Sequence, residues 1–122
     1  MGHETTKITS GTLIATKSVK GTSIYNPRGD QLGTVDDILI DKVSGKVIYA
    51  VISFGGFLGL GEKRHPVPWP TLAYDENKDG YVANLDRKML EDAPSYDMSE
   101  DYLWTPEYGR RVDKHYNAPT YW

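Results

Sequence analysis

The strongest constraint on the fold is a run of eight residues, Val47–Phe54, in which every residue except Ser53 is apolar. The run is rich in β-branched and aromatic side chains, and Gly55 and Gly56 follow it directly. It is too short to span a membrane, and its length and composition favour a buried strand over a helix. The sequence therefore predicts that Val47–Phe54 is the central strand of a β core.

The segment after this strand combines glycine with large apolar residues. It is a candidate interaction loop made of Gly55, Gly56, Phe57, Leu58, Gly59, Leu60 and Gly61. Glycine permits backbone conformations closed to other residues, which predicts a tight reversal that holds its apolar side chains in a fixed arrangement. These side chains either form an exposed partner-binding tip or pack under the barrel and against the C-terminal segment.

Turn chemistry and apolar patterning predict further strands on both sides of the central one, at residues 23–25, 31–41, 65–70, 72–74 and 81–83. Three prolines in the 65–70 segment cannot donate to a ladder and indicate an edge or terminal strand. Asp86 can cap a short helix that Pro94 stops. Six short strands joined by turns indicate a mainly β fold, a small antiparallel barrel with a short helix.

Residues 95–122 hold seven of the fourteen aromatic residues of the chain. Thr105 and Pro106 can begin a helix, which Asn117 ends. An aromatic-rich segment is unlike a disordered tail, so it is expected to dock on the barrel or on a partner subunit. The predicted tail interface consists of Trp104, Tyr108, Val112, Tyr116, Tyr121 and Trp122.

These patterns predict a flexible N-terminal arm at residues 1–18, a β-barrel at 19–94 and the aromatic C-terminal extension at 95–122. The formal charge of −3 gives no general basis for nucleic-acid binding. The absence of cysteine excludes disulfides, thiol catalysis and cysteine-ligated zinc. The sequence contains neither a signal-peptide pattern nor a membrane-spanning run, so the expected location is the cytoplasm.

Residues 19–94 resemble the PRC-barrel domain family. The similarity rests on GTSIYNPRGDQLGTVDDILID, on KVIYAVISFGGFLGLGEK followed by HPVPW, and on YDENKDGYVANL. The glycine loop followed by the proline-rich strand is its most specific part, and the aromatic extension looks like that of small stand-alone bacterial members. The resemblance implies a small β-barrel that binds other macromolecules and is not an enzyme. It transfers no functional residue to this chain.

A second pattern is similar to half of a calcium-binding loop. Asp75, Asn77 and Asp79 alternate before a glycine, and Asp86 stands at the twelfth position. Alternating oxygen side chains suit a hard cation, although the twelfth ligand is usually the longer Glu and the flanking segments here have strand character. The alternative interpretation is a polar hairpin tip without a metal.

Catalytic residues are not evident. His65 lies near Glu62 and Arg64, but no nucleophile or second histidine accompanies it, and a structural role fits this pattern better than acid–base chemistry. No cofactor or small-molecule substrate is indicated. Basic side chains at Lys63, Arg64, Arg110, Arg111 and Lys114 either form a patch or belong to an ordinary solvated face.

The sequence thus favours a non-enzymatic protein-interaction module that binds a protein partner or itself, most simply as a homodimer. One alternative is an RNA- or ribosome-associated factor, to which Arg110 and Arg111 would contribute, although the acidic balance of the C-terminal half opposes it. The other alternative is a calcium-stabilised binding module.

Overall fold

A computed structural model describes residues 13–54, 63–97 and 104–122. Within these ranges the chain forms seven strands and three α-helices. The strands are β1 Ser23–Tyr25, β2 Gln31–Ile40, β3 Val47–Phe54, β4 Lys63–Pro68, β5 Leu72–Asp75, β6 Gly80–Ala83 and β7 Tyr96–Asp97. The helices are α1 Thr16–Val19, α2 Arg87–Glu91 and α3 Pro106–His115, and a 3₁₀ turn, Trp69–Thr71, joins β4 to β5. The mainly β fold is confirmed.

All strands belong to one sheet with the order β5-β6-β1-β2-β3-β4-β7. Neighbouring strands are antiparallel apart from β1 and β6, which pair in parallel through Ile24 opposite Tyr81 and Tyr25 opposite Val82. This pair departs from the purely antiparallel arrangement expected from the sequence. Between β1 and β6 the chain passes through all of the strands from β2 to β5. A connection of that length can join two strands that lie side by side in parallel.

The connection between β4 and β5 requires the sheet to curl. These strands are separated by β6, β1, β2 and β3 in the sheet order. In a flat sheet that separation would be about 24 Å, at about 4.8 Å per strand. Yet only Trp69–Thr71 joins them, and a connection of this length spans at most about 14 Å. The sheet therefore bends into the barrel-like form that the sequence predicts.

The core lies inside this curve, with β3 at its centre. Ala50 and Ile52 are fully buried, as is Val67 on the neighbouring β4. Gly33 of β2 lies so close to β3 that an added Cβ would be 2.3 Å from the backbone oxygen of Ser53. Glycine at position 33 thus allows the two strands to approach closely.

Helices α2 and α3 begin and end as the sequence predicts. The Asp86 side chain accepts a hydrogen bond from the Met89 amide at the start of α2, and Thr105 caps α3 through the Tyr108 amide. At the other end of α3, Asn117 adopts a φ of 53°, the left-handed conformation that commonly ends a helix. The helix contacts β4, and His115 Nε2 lies 2.8 Å from the Met89 carbonyl oxygen.

The predicted N-terminal arm falls partly outside the described residues. From position 13 onward it contains the helical turn α1, whose Val19 is buried in the core. The sequence did not indicate this turn, because its residues have no apolar periodicity. No helix within the described ranges is long and apolar enough to cross a membrane.

Candidate interaction site

The C-terminal extension packs on the barrel of its own chain. Tyr108, Val112 and Tyr116 lie on one face of α3 and are buried. The Trp104 ring lies 4.9 Å from the ring of Tyr49 on β3 and 5.2 Å from the ring of Tyr108, centroid to centroid. These four predicted interface residues therefore contribute to the core and to its margin, because their large apolar surfaces pack against the sheet.

A buried hydrogen-bond network joins this helix to the sheet. The Tyr49 hydroxyl donates to Oδ1 of Asp113 over 2.8 Å, and Asp113 is only 3% exposed. The second carboxylate oxygen of Asp113 accepts from the Tyr121 amide at 3.2 Å. A carboxylate removed from water needs such donors, since a buried charge without partners is strongly unfavourable. The network fixes α3 and the residues after it in one position.

The indole of Trp122 occupies a space left by a glycine in α3. A Cβ built on Gly109 would lie 1.7 Å from Nε1 of Trp122 and 2.2 Å from its Cε2 atom. The same Nε1 donates to the Tyr49 hydroxyl oxygen over 2.9 Å. Because any side chain at position 109 would collide with the ring, glycine is required there for the indole to dock. We call the segment 117–122 the tail.

Burial changes the acid–base properties of the tyrosines under the tail. Removal from water raises the pKa of Tyr49 far above its usual 10, and the hydrogen bond to Asp113 raises it further. Burial also raises the pKa of Tyr116, with a smaller contribution from Tyr108. Both effects favour the neutral phenol. Tyr49 therefore stays protonated and remains the donor to Asp113 throughout the physiological pH range.

The tail also contacts the hairpin between β2 and β3. Asp41 accepts hydrogen bonds from the amides of Val43 and Ser44, both through Oδ1. Its other oxygen, Oδ2, accepts a hydrogen bond from the Tyr121 hydroxyl. These interactions lower the pKa of Asp41 from 3.8 to about 2, with the Tyr121 hydrogen bond as the largest cause. The contact joins the tail to the hairpin tip.

Four large apolar side chains are exposed on the two segments that this contact joins, the β2–β3 hairpin and the tail. They form what we call the hairpin–tail surface: Ile40 (54% exposed), Val43 (94%), Tyr121 (44%) and Trp122 (38%). The Tyr121 and Trp122 rings contact edge to face at 5.0 Å. Ile40 and Val43 flank Asp41, which is bonded to Tyr121. Grouped exposed apolar side chains mark interaction sites more often than scattered ones do.

The surface has a basic margin. Lys42 and Lys46 lie in the hairpin turn and are exposed. The one acidic group of the turn, Asp41, already accepts hydrogen bonds from the turn itself and from Tyr121. The hairpin–tail surface thus combines an apolar centre with positive charge at its edge, the usual arrangement of a polar rim around an apolar patch.

Two other predicted sites lie elsewhere. The interaction loop, residues 55–61, lies outside the described residues. Three of the calcium candidates lie in or beside the turn between β5 and β6, where Asp75 accepts from the amides of Asn77 and Lys78, and Asp79 accepts from the Tyr74 hydroxyl. The fourth, Asp86, caps α2. Among residues 13–54, 63–97 and 104–122, no group of three or more His, Asp or Glu side chains could hold a metal ion.

His65 lies inside the barrel. It is 3% exposed, and its ring contacts the Phe54 ring edge to face at 5.4 Å. In the pairing of β4 with β3 it lies opposite Ile52. Burial, assisted by the charge of Lys63, lowers its pKa from 6.5 to about 4 and is partly opposed by a hydrogen bond with the Leu90 backbone. A buried neutral imidazole among apolar side chains supports the structural interpretation of this residue.

The basic candidates lie on two elements, β4 and α3. Arg64 on β4 forms an ion pair with Asp36, Nε to Oδ2 at 3.1 Å. Arg111 on α3 lies over the Tyr108 ring, 5.7 Å from its centroid. Arg110 and Lys114 are exposed on α3. Ion pairing and ring contact account for Arg64 and Arg111 without a nucleic acid.

Sequence reasoning missed the residues that organise this end of the molecule. From the sequence alone, Asp113, Gly109 and Asp41 are assigned no individual role. A glycine in a helix interior is destabilising relative to alanine, so the position of Gly109 was a local signal that something packs against it. The sequence offers no comparable signal for the pairing of Tyr121 with Asp41.

A small, strongly curled β-sheet with a helix packed against β4 is the architecture of a small β-barrel domain. The PRC-barrel domain model matches residues 11–90. Because the match covers well over half of the chain, the chain belongs to the PRC-barrel domain family. This is a binding-type fold of the protein-interaction kind.

The chain is also similar to a protein from Deinococcus radiodurans that is described as uncharacterized. The two are 26% identical over 93 residues, which cover 70% of this chain and 33% of the relative. The chain therefore spans about a third of the length of the curated relative that it matches. Residues 91–122, which include α3 and the tail, lie beyond the family match.

Proposed function

We propose that the chain is a non-enzymatic protein-interaction module that associates with a second copy of itself through the hairpin–tail surface. The observation that carries the proposal is that Ile40 and Val43 of the hairpin and Tyr121 and Trp122 of the tail are exposed apolar side chains on two segments joined by the Tyr121–Asp41 hydrogen bond. Interfaces are enriched in tyrosine and tryptophan, which supply a large contact area at a low cost in conformational entropy.

Preorganisation supports the same proposal. Tyr121 is held by its bonds to Asp41 and Asp113, and Trp122 is held by Tyr49. Aromatic side chains that are already fixed in the free molecule lose little freedom on binding, which favours association. A twofold contact would place the same patch on both subunits. Four side chains are fewer than the roughly 20–30 residues a side of a standard interface, so we expect weak association.

The test is the molar mass of the full chain as a function of concentration, measured by sedimentation equilibrium. We expect a monomer–dimer equilibrium that Val43→Glu weakens at least tenfold, because a charge would enter the apolar centre. Ala73→Glu is the matched control, since Ala73 is exposed on β5 at the far edge of the sheet order. A monomer at every concentration, or equal weakening by both variants, would refute the proposal.

Salt adds a second discriminating measurement. Two copies that meet through this surface bring Lys42 and Lys46 of each copy towards each other, and salt screens that repulsion. The dimer should therefore tighten as ionic strength rises. A self-association that weakens with salt would instead show that opposite charges hold the two copies together, and would count against contact through the hairpin–tail surface.

A further inference from the structure

The site beneath Trp122 has the properties of a peptide-binding pocket whose occupant belongs to the chain itself. Its floor is Gly109, where the missing side chain leaves room for an indole ring. Glycine lowers helix stability relative to alanine at an interior position. The Trp122 ring fills the space that an alanine methyl would take, so the choice of glycine here serves the contact with the tail.

Two hydrogen bonds in this site recognise features of a peptide. Nε1 of Trp122 donates to the Tyr49 hydroxyl over 2.9 Å, an N–H donor that phenylalanine and the aliphatic side chains lack. The amide of the preceding residue, Tyr121, donates to Oδ2 of Asp113 over 3.2 Å. Tyr49 is itself oriented by its bond to the other oxygen of Asp113. The site therefore selects a tryptophan that follows a non-proline residue.

The tail that occupies the site has few other attachments. Beyond these two bonds, the described contacts of Tyr121 and Trp122 are the hydroxyl bond to Asp41, a ring contact between the two side chains and a local bond to Thr120. Trp122 remains 38% exposed. Short attachments of this kind open locally at a small cost compared with unfolding of the whole domain.

We propose that Gly109, Tyr49 and Asp113 form a tryptophan-specific peptide seat, and that the tail of a second copy occupies it when the chain's own tail leaves. A tail tethered to its own helix competes at an effective concentration on the order of millimolar. Exchange therefore needs the second tail at a similar local concentration. Two copies held together at the hairpin–tail surface would provide it, and to that extent the exchange rests on the function proposed above.

The test uses two full-length variants, of which one keeps only an intact tail and the other keeps only an open seat. Gly109→Ala closes the seat and leaves the tail intact, whereas Trp122→Ala leaves the seat open and removes the indole. Neither variant alone can place an indole in a seat, but a mixture can. With a fluorescent label on the Gly109→Ala chain, we expect titration with Trp122→Ala to give a heterodimer at least tenfold tighter than the self-association of either variant.

The outcomes separate this inference from the proposed function. A mixture that associates no more tightly than its components would overturn the trans seat, whatever happens to Val43→Glu. A tight mixture would support the seat, whereas Val43→Glu tests the apolar surface separately, because Gly109→Ala and Trp122→Ala both also change the position or presence of Trp122 in that surface. Trp122→Phe is the graded control, because it retains a ring but lacks the N–H donor and should give intermediate affinity.

A spectroscopic measurement tests the seat without relying on association. With 5-fluorotryptophan in the full chain, Gly109→Ala should shift the ¹⁹F resonance of Trp122 towards its solvent-exposed position. The resonance of Trp69, which contacts the Tyr81 ring instead, should not move and serves as the check that the fold is retained. An unchanged Trp122 resonance would show that the indole does not depend on the glycine, and would refute the seat.

Discussion

Two hairpins of the sheet have the same local chemistry and different surroundings. In the β2–β3 hairpin, Asp41 accepts from the amides two and three residues further on. In the β5–β6 hairpin, Asp75 does the same with Asn77 and Lys78. Such contacts between an aspartate and nearby amides are a common means of forming a turn. Both turns are therefore specified locally and do not differ in how they form.

The hairpins differ in how far along the chain the tyrosine that donates to the aspartate lies. Each contains an aspartate that accepts from a tyrosine hydroxyl. In β5–β6 the donor to Asp79 is Tyr74, five residues away, whereas in β2–β3 the donor to Asp41 is Tyr121, eighty residues away. The first bond stabilises only its own turn. The second joins the hairpin to the tail, and through the tail to the buried pair Tyr49–Asp113.

This difference explains why one hairpin is a candidate interaction site and the other is a polar tip. The side chains of the β5–β6 turn, residues 76–79, are polar and exposed. At β2–β3 the tail adds two aromatic rings beside exposed aliphatic side chains. A long-range contact has converted an ordinary turn into part of an apolar surface.

The largest predicted effect is a loss of stability at acidic pH that is caused by His65, a residue that lies in neither hairpin turn. The pKa of His65 is lowered from 6.5 to about 4 in the folded chain, so the folded state binds this proton less readily than the unfolded state. Its contribution to stability is fully present above pH 6.5 and is lost as the pH falls from 6.5 to 4. At 1.36 kcal/mol per pKa unit this amounts to about 3 kcal/mol.

Urea unfolding at pH 7, 5.5 and 4.5 measures this loss. His65→Gln should flatten the dependence of the free energy of unfolding on pH in this window. Asp41, with a pKa of about 2, stays ionised throughout, so the hairpin contacts should persist. A variant with the same slope as the unmodified chain would assign the acid sensitivity to another group.

The next effect compares the hydroxyl groups of two tyrosines. Tyr49→Phe removes a buried donor to Asp113 and also the acceptor for Trp122 Nε1. Buried hydrogen bonds to charged groups contribute about 1.5–3 kcal/mol, and we expect a loss of about 2 kcal/mol in the free energy of unfolding. Tyr74→Phe is the matched control at an exposed site and should cost less than about 0.5 kcal/mol. Equal losses would remove the distinction between the hairpins.

Much of the fold could be predicted from the sequence because its signals are local. The bounds of β3, the Asp86 and Thr105 caps and the turn between β5 and β6 all follow from neighbouring residues. The arrangement of the site could not be predicted in this way. The burial of Asp113 and its bond to Tyr49 join residues 64 positions apart, and no periodicity or turn pattern encodes such a pairing.

Gly109→Ala tests whether the tail couples to the helix. Its effect on the stability of the chain should depend on whether Trp122 is present. With Trp122→Ala already present, alanine at position 109 should stabilise the chain by about 1 kcal/mol through helix propensity alone. With Trp122 intact, the methyl group would displace the indole, and the gain should be cancelled or reversed. Thermal unfolding of the four chains gives the coupling energy of the cycle, which we expect to be about 1–2 kcal/mol.

A coupling energy near zero would mean that the ring and the glycine act independently. A coupling energy of the expected size would show that docking of the indole over Gly109 contributes to the stability of the folded chain. The β5–β6 hairpin provides the contrast, because its Tyr74–Asp79 bond joins two residues of the same turn. Asp79→Asn should therefore leave the Gly109–Trp122 coupling unchanged.

The smallest effect is a change in the pKa of Asp41. The Tyr121 hydroxyl is the largest of the influences that lower this pKa from 3.8 to about 2, because a hydrogen bond to the carboxylate favours the charged form. Tyr121→Phe should therefore return the pKa part of the way towards 3.8, while the amides of Val43 and Ser44 keep it below that value. The ¹³C carboxyl shift of Asp41, followed by NMR from pH 1.5 to 5, measures the change. The pKa of Tyr74, raised to about 12 mainly by Asp79, should be unaffected. If the Asp41 pKa did not rise, the long-range bond would be absent in solution, and the two hairpins would be equivalent after all.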